Sequence, residues 1–213
     1  GTLNGSNIKF VDGKMNKALQ FNGTDDYVIV TNSSSSQVFT TSLWFYTSAP
    51  AANKYLLDRG GNIHWFELYN SKLRSGTSAA NYSDSSTTLQ ANTWYHAVMT
   101  YDGTTIKQYL NGVQQFSVAG GNVTPSGLQI GRYYTGGYYF NGLIDDVKIY
   151  NYARTAEQVL QDFNAGATTR LGTQYAGEAD PWGGAMPVAY WKLDENTGVL
   201  ANDASGNGRN GTL

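Results

Sequence analysis

The chain has 213 residues, of which 14% are charged, with 25 glycines, 16 tyrosines, no cysteine and a formal net charge of −2. The length suits one large all-β domain, and the abundance of Gly, Tyr, Ser, Thr and Asn favours short strands joined by polar turns over helical packing. With no Lys/Arg cluster, nucleic acid and anionic membrane are excluded as partners, and with no cysteine so are a disulfide framework, a thiolate metal site and a cysteine nucleophile.

Strand-like runs, β-branched or aromatic and often alternating, recur along the chain at 18–21, 26–31, 41–46, 54–58, 64–69, 94–101, 105–110, 113–118, 128–131 and 143–150. Ten short strands imply two stacked antiparallel sheets. Asn22-Gly23, Asp102-Gly103 and Asn111-Gly112 supply the positive φ angles of tight turns, so residues 94–118 should form a three-stranded meander.

One short helix is expected over 155–164. Thr155 would cap it, Val159, Leu160 and Phe163 would form its apolar stripe, and Gly166 would end it, with the helix packed on the sandwich edge. Residues 167–186 carry Gly-Gly and Asp-Pro breakers and no periodicity, as a linker does. A strand resumes over 187–195, with Val188, Tyr190 and Trp191 as core candidates. No apolar stretch approaches the roughly 20 residues of a membrane span. The first residues do not resemble a signal peptide, so a secreted form would carry its leader outside this chain.

Residues 18–28 (ALQFNGTDDYV), 93–112 (TWYHAVMTYDGTTIKQYLNG) and 142–150 (GLIDDVKIY) together resemble the laminin-G-like, concanavalin A-like lectin/glucanase superfamily, over residues 1–164. That resemblance implies a jelly-roll β-sandwich, a calcium site in many members, and roles from glycan binding to adhesion and domain spacing. Residues 188–213 resemble the opening segment of such a domain, placed here at the C-terminus. Residues 1–166 therefore read as a sandwich lacking its first strand, and 187–213 as that strand and its turn.

The tripeptide Gly1-Thr2-Leu3 recurs as Gly211-Thr212-Leu213, an offset of 210 residues, and overlaying the two gives an uninterrupted family-like sequence. Two arrangements remain open: completion of the chain's own sandwich, or of the next copy in a tandem or filament array. Either way, residues 188–193 should pair antiparallel with 143–150, because the family places its first and last strands side by side.

Oxygen-bearing residues at alternate positions followed by glycine, Asp203, Ser205 and Asn207 before Gly208, have the pattern of a calcium loop. The resemblance implies a closing carboxylate from the last strand, Asp145 or Asp146. The competing reading is that Asp203 and Asn207 form Asx turns. Asp25 and Asp26 read as turn-holding residues, and His64 and His96 as cross-strand packing.

Tyr133, Tyr134, Tyr138 and Tyr139 (RYYTGGYYF) would sit on a glycine-tipped hairpin and offer rings to a sugar, although alternation would turn about half of them inward, to the core or to a neighbouring copy. Glu67 lacks the local acid partners of a glycosidase strand, and no nucleophile elbow, P-loop or dinucleotide motif is present. The expectation is therefore a non-catalytic, extracellular or cell-surface repeat module of bacterial source, structural or adhesive, with identical or neighbouring copies as partners. Calcium is the cofactor the loop would take in either case; a carbohydrate-binding lectin-like module is the alternative, and a glycoside hydrolase or lyase the remote third reading.

Overall fold

The structure is a computed structural model that describes residues 8–31, 36–60, 64–124, 127–167, 187–195 and 200–212. In chain order these form β1 (Lys9–Asp12), β2 (Lys17–Asn22), β3 (Val28–Val30), β4 (Phe39–Thr47), β5 (Lys54–Asp58), β6 (Trp65–Tyr69), β7 (Lys72–Ser78) and β8 (Asn81–Asp84). There follow β9 (Thr93–Tyr101), β10 (Thr105–Leu110), β11 (Val113–Ala119), β12 (Leu128–Ile130), β13 (Asn141–Tyr150), α1 (Ala156–Ala167), β14 (Ala189–Trp191), β15 (Leu200–Ala201) and β16 (Gly211–Thr212).

The strands make two eight-stranded antiparallel sheets, as the jelly-roll reading requires. The first has the order β1-β2-β13-β4-β9-β10-β11, with β14 also paired to β13, and the second β15-β16-β3-β12-β5-β6-β7-β8. The meander β9-β10-β11 is present, and Asn111 (φ 52) and Gly112 (φ 77) both take the left-handed conformation of its second turn. Between the sheets, period-two alternation buries Leu43 and Phe45 from β4, Phe66 and Leu68 from β6, and Val28 and Val30 from β3, while β13 buries Ile144, Val147 and Ile149 across a register shift between Asp145 and Lys148. Burying a side chain of this size contributes about 1.5–3 kcal/mol.

Expected strands are found in place, with shifted ends. The structure adds β1, β7 and β8, whose sequences (KFVD, KLRSGTS, NYSD) carry little apolar alternation, and the two-residue strands β15 and β16. The helix begins where expected: the Gln158 amide donates to Thr155 Oγ1 (3.3 Å) and the Thr155 amide to Gln158 Oε1 (3.0 Å), a reciprocal cap. It does not end at Gly166 but runs through it to Ala167, and glycine at 166 makes room for Trp44, since a Cβ there would lie 2.6 Å from that ring. Nor does α1 pack on an edge. Phe163 stacks on Trp44 (5.8 Å) and His96 (6.3 Å), so the helix covers the outer face of the central strands β4 and β9.

β14 pairs antiparallel with β13, Val147 facing Trp191 and Ile149 facing Ala189, which is the pairing expected of residues 188–193. β2 occupies the same side of β13 over Asn141–Ile144, so β2 and β14 share one flank in succession. Of the proposed linker, 167–186, Ala167 is the last residue of α1 and the rest lies outside the described residues; of the terminal repeat, Gly211 and Thr212 form β16, while Gly1-Thr2-Leu3 and Leu213 lie outside them. No helix among the described residues is long and apolar enough to cross a membrane.

Candidate functional site

The four candidate calcium ligands do not come together. Asp203 accepts the amides of Tyr190 (3.0 Å) and Ser205 (2.9 Å) on Oδ1 and that of Arg209 (2.9 Å) on Oδ2. Ser205 Oγ and Asn207 Nδ2 both donate to the Val188 carbonyl, at 3.2 and 3.1 Å. The turn is thus closed by its own hydrogen bonds, and they moor β14.

Asp145 belongs to another set. Its Oδ2 accepts the Lys14 and Met15 amides (2.9 and 2.8 Å), while Asp194 Oδ1 takes the Lys17 amide (2.8 Å). Trp191 pairs with Val147 on one side and with Asp203 on the other, so the Asp203 turn lies two strand spacings, about 10 Å, from β13. This donor set does not fit a shared calcium ion, and among the described residues no group of three or more His, Cys, Asp or Glu side chains could hold a metal ion. Instead Asp145 and Asp194 satisfy the amides of the β1–β2 turn where β2 gives way to β14 along β13.

The remaining singled-out groups have structural surroundings. Asn22 Oδ1 accepts three amides of its turn, Asp26 takes the Asn22 amide (2.9 Å) and Asp25 the Asn22 side chain (2.6 Å). His64 stacks on Phe39 (3.9 Å), and His96 packs against Trp44 (5.0 Å) and Phe163 (6.3 Å). Burial pushes both imidazoles down, His96 to about 3, so each is neutral over the physiological range.

The tyrosine segment differs from expectation in a way that matters. Residues 131–140 are not a hairpin, because β12 and β13 lie in different sheets. They form a crossover loop, closed at its base by Phe140 N to Gly131 O (2.8 Å) and tied to β5 by Tyr55 N to Tyr138 O (3.0 Å). Freed from strand alternation, none of the four tyrosines is buried, and Tyr138 is 52% exposed. Tyr55, Tyr133 and Tyr138 form an aromatic corner, with Tyr133 and Tyr138 edge to face at 6.1 Å and Tyr55 at 5.0 and 5.9 Å from them. Tyr139 meets Tyr27 at 6.2 Å, and the Tyr134 amide donates to Asp58 Oδ2 (3.0 Å).

That corner stands at one end of the second sheet's outer face, which the sequence reading left unassembled. Tyr55, Glu67, Arg74 and Asp84 face one another in a row across β5, β6, β7 and β8. In a parallel row, Trp65 and Tyr82 face Gly76 from either side. A Cβ on Gly76 would meet Tyr82 Cβ at 2.4 Å, so glycine allows Tyr82 to lean to 6.3 Å from Trp65. Arg74 grips Asp84 through Nε (2.6 Å) and Nη2 (3.0 Å), and its guanidinium lies 3.8 Å from the Tyr69 ring centre and 4.9 Å from that of Tyr82.

Burial pushes the Glu67 carboxyl up against the downward pull of Arg74, and burial with Glu67 and Asp58 nearby pushes the Tyr55 hydroxyl up. The Tyr55 hydroxyl therefore stays protonated, a standing donor. The whole is a sheet face with exposed rings at both ends and polar groups of both kinds between them. Such a surface can stack on the apolar face of a ring and hydrogen-bond its hydroxyls.

The chain belongs to the concanavalin A-like lectin/glucanases superfamily, whose profile matches residues 22–160. Among solved structures it is similar to domain 4 of AbnA, a GH43 extracellular arabinanase from Geobacillus stearothermophilus, solved in complex with arabinotriose. The identity is 25% and the TM-score 0.62, over 76% of this chain and 85% of that one. A Bacteroides ovatus protein described as carbohydrate-binding is similar at 21% identity and TM-score 0.64, over 92% of this chain and 57% of its own. The binding domain of Paraclostridial Mosquitocidal Protein 1 shares the fold at 19% identity and TM-score 0.63, over 78% of this chain and 47% of that one. No curated protein sequence matches the chain.

Proposed function

We propose that this chain is a non-catalytic carbohydrate-binding module that holds glycan on the outer face of its second sheet. The observation that carries the reading is the pairing of exposed rings, Tyr138 at 52% and Tyr82 at 42% exposure, with the Glu67–Arg74–Asp84 row between them. Large aromatic rings left in water on one face, beside the partly exposed Arg74–Asp84 pair and above the buried Glu67, are a recognition surface rather than a packing residue. Support comes from the arabinanase domain at 25% identity, which was solved with arabinotriose. That enzyme is extracellular, which supports an extracellular setting here.

Affinity gel electrophoresis against a panel of soluble polysaccharides, arabinan, xylan, glucan and galactan, tests the proposal. Retardation by at least one of them is expected, and Tyr82→Ala and Tyr138→Ala should each weaken it about tenfold. Each ring is about half exposed but packs on its neighbours, so each substitution should cost ~1 kcal/mol and leave the fold intact. An unretarded wild-type chain, or full retardation of both variants, contradicts the proposal.

A further inference from the structure

Residues 187–195 and 200–212 form a unit of their own at one margin of the sandwich. Asp203 accepts the Tyr190, Ser205 and Arg209 amides, and the Val188 carbonyl accepts from the side chains of Ser205, Asn207 and Arg209. The Ala204 amide donates to the Tyr190 carbonyl (2.6 Å), the Trp191 indole to the Arg209 carbonyl (2.8 Å) and the Asn202 amide to Glu195 Oε1 (2.7 Å). All of these bonds lie within the segment, so it carries its turn with it wherever it docks.

Its attachment to the rest of the chain is lighter. β14 pairs with β13 over Val147–Ile149, β16 pairs with β3 at Ile29, and Asp194 takes the Lys17 amide (2.8 Å). Ala189, Trp191, Leu193 and Ala201 supply the apolar contacts. On their far sides these strands meet the segment itself: β14 bridges to Asp203, and β16 pairs with β15, the edge of the second sheet. The segment can therefore leave or enter without parting any two other strands.

The covalent tie is long for the gap it closes. Gly166, at the end of α1, lies against Trp44, which faces Asp145 on β13, and Ala189 faces Ile149 on the same strand. From Asp145 to Ile149 the strand advances about 13 Å, whereas residues 168–186 have a reach of about 65 Å. Such a tie holds the segment near its own seam at an effective concentration on the order of millimolar or less. The same segment of another copy competes as protein concentration approaches that value.

We propose that the seam between β13 and β3 accepts residues 187–212 from a second copy of this chain, so that two copies join by reciprocal exchange of this segment. Every contact of the segment in the exchanged pair already exists within one copy, so exchange needs no new interface. An unfilled seam exposes a flank of β13 and the edge of β3, which drives it to take the segment from either source. The β5–β8 face lies beyond β12 from this seam, so the pair presents two such faces, whatever they bind.

The chain has no cysteine, so introduced thiols report without interference. Ile29→Cys and Thr212→Cys stand at facing positions of β3 and β16, a Cα separation of about 4.5–5.5 Å that a disulfide can bridge. Equal amounts of the two single variants of the full chain are mixed, unfolded in guanidinium, refolded together at ~10 μM and at ~1 mM, and oxidised. A cross-chain disulfide product of twice the chain's mass is expected, at least about tenfold more abundant at the higher concentration. The double variant refolded at the lower concentration should bridge within itself and stay monomeric. An internal bridge in the double variant at both concentrations, with no cross-chain product from the mixed single variants, overturns the proposal. Isotope-labelled and unlabelled wild-type chains refolded together and weighed by native mass spectrometry make the test without substitutions. Mixed-mass dimers at the higher concentration are expected; monomers alone at both concentrations overturn the proposal, as do dimers whose single-variant mixture gives no cross-chain bridge.

Discussion

Asp145 shows how one side chain serves the sheet and carries a cost for it. Its carboxyl accepts two amides of the β1–β2 turn through Oδ2, while Oδ1 is buried without a hydrogen-bond partner among the described residues. Burial, with Asp146 and Asp194 close by, pushes it up to about 8. The folded chain then holds a proton that the unfolded chain releases near pH 4, so this contribution is fully present below pH 4 and is lost as pH rises toward 8. Asp162, pushed up to about 6 by burial against the pull of Arg154, acts in the same sense over a narrower window. Asp145→Asn keeps an acceptor for both amides and removes the proton linkage. Urea unfolding midpoints from pH 5 to 8.5 should therefore fall with pH for the wild type and fall less for the variant; parallel curves contradict this role. The Asp203 turn teaches a complementary lesson. Alternate oxygen donors before a glycine read equally as a cation loop or as Asx turns, because both use the same atoms. What decides between them is which groups face those atoms, here the amides of Tyr190, Ser205 and Arg209.

Among the elements, β14 and its turn matter most to the integrity of the sandwich. β13 is covered by β2 as far as Ile144 and by β14 from Val147, so without β14 the ladder of its last turnable stretch, Val147–Ile149, would lose one flank. Trp191 anchors the element: it is fully buried in the core and donates its indole N–H to the Arg209 carbonyl (2.8 Å). Trp191→Ala should cost about 3–5 kcal/mol, from lost burial and the cavity left behind. Guanidinium unfolding followed by tyrosine and tryptophan fluorescence measures it, and a loss under 1 kcal/mol would place the anchor elsewhere. This element was legible in the sequence because its VAYW run is apolar and VAYWKLDE resembles a family opening strand, but of the core candidates only Trp191 is buried: Ala189 and Leu193 share its face, while Val188 and Tyr190 are half-buried. β7 and β8 were not. Leu73 alone in β7 enters the apolar core, and β8 gives it none, so the usual alternation of large apolar residues has nothing to mark. The helix was placed correctly along the chain, but its docking surface was not, since Trp44 and His96 lie 112 and 60 residues before its first residue, Ala156, and signal nothing locally.

At the scale of the whole molecule, the first sheet spends its outer face on α1 and the second leaves rings in water on its own. That division is why the proposed glycan face falls on β5, β6, β7 and β8. Local sequence gave the two-sheet architecture, because hairpin turns and alternation are short-range signals. It did not give the recognition row, because Glu67 looks solitary until Tyr55, Arg74 and Asp84 arrive from three other strands. The tyrosine loop was visible as a motif, yet its geometry depended on a crossover between sheets that no local pattern announces. The most direct test of a glycan face on the second sheet is its location. Backbone amide chemical shifts of the labelled chain, recorded as a retarding polysaccharide's oligosaccharide is titrated in, report that location residue by residue. Shifts concentrated at Tyr55, Glu67, Tyr69, Arg74, Tyr82 and the 133–138 loop are the predicted result; shifts confined to α1, β14 and the Asp203 turn, with the β5–β8 face unmoved, would contradict it.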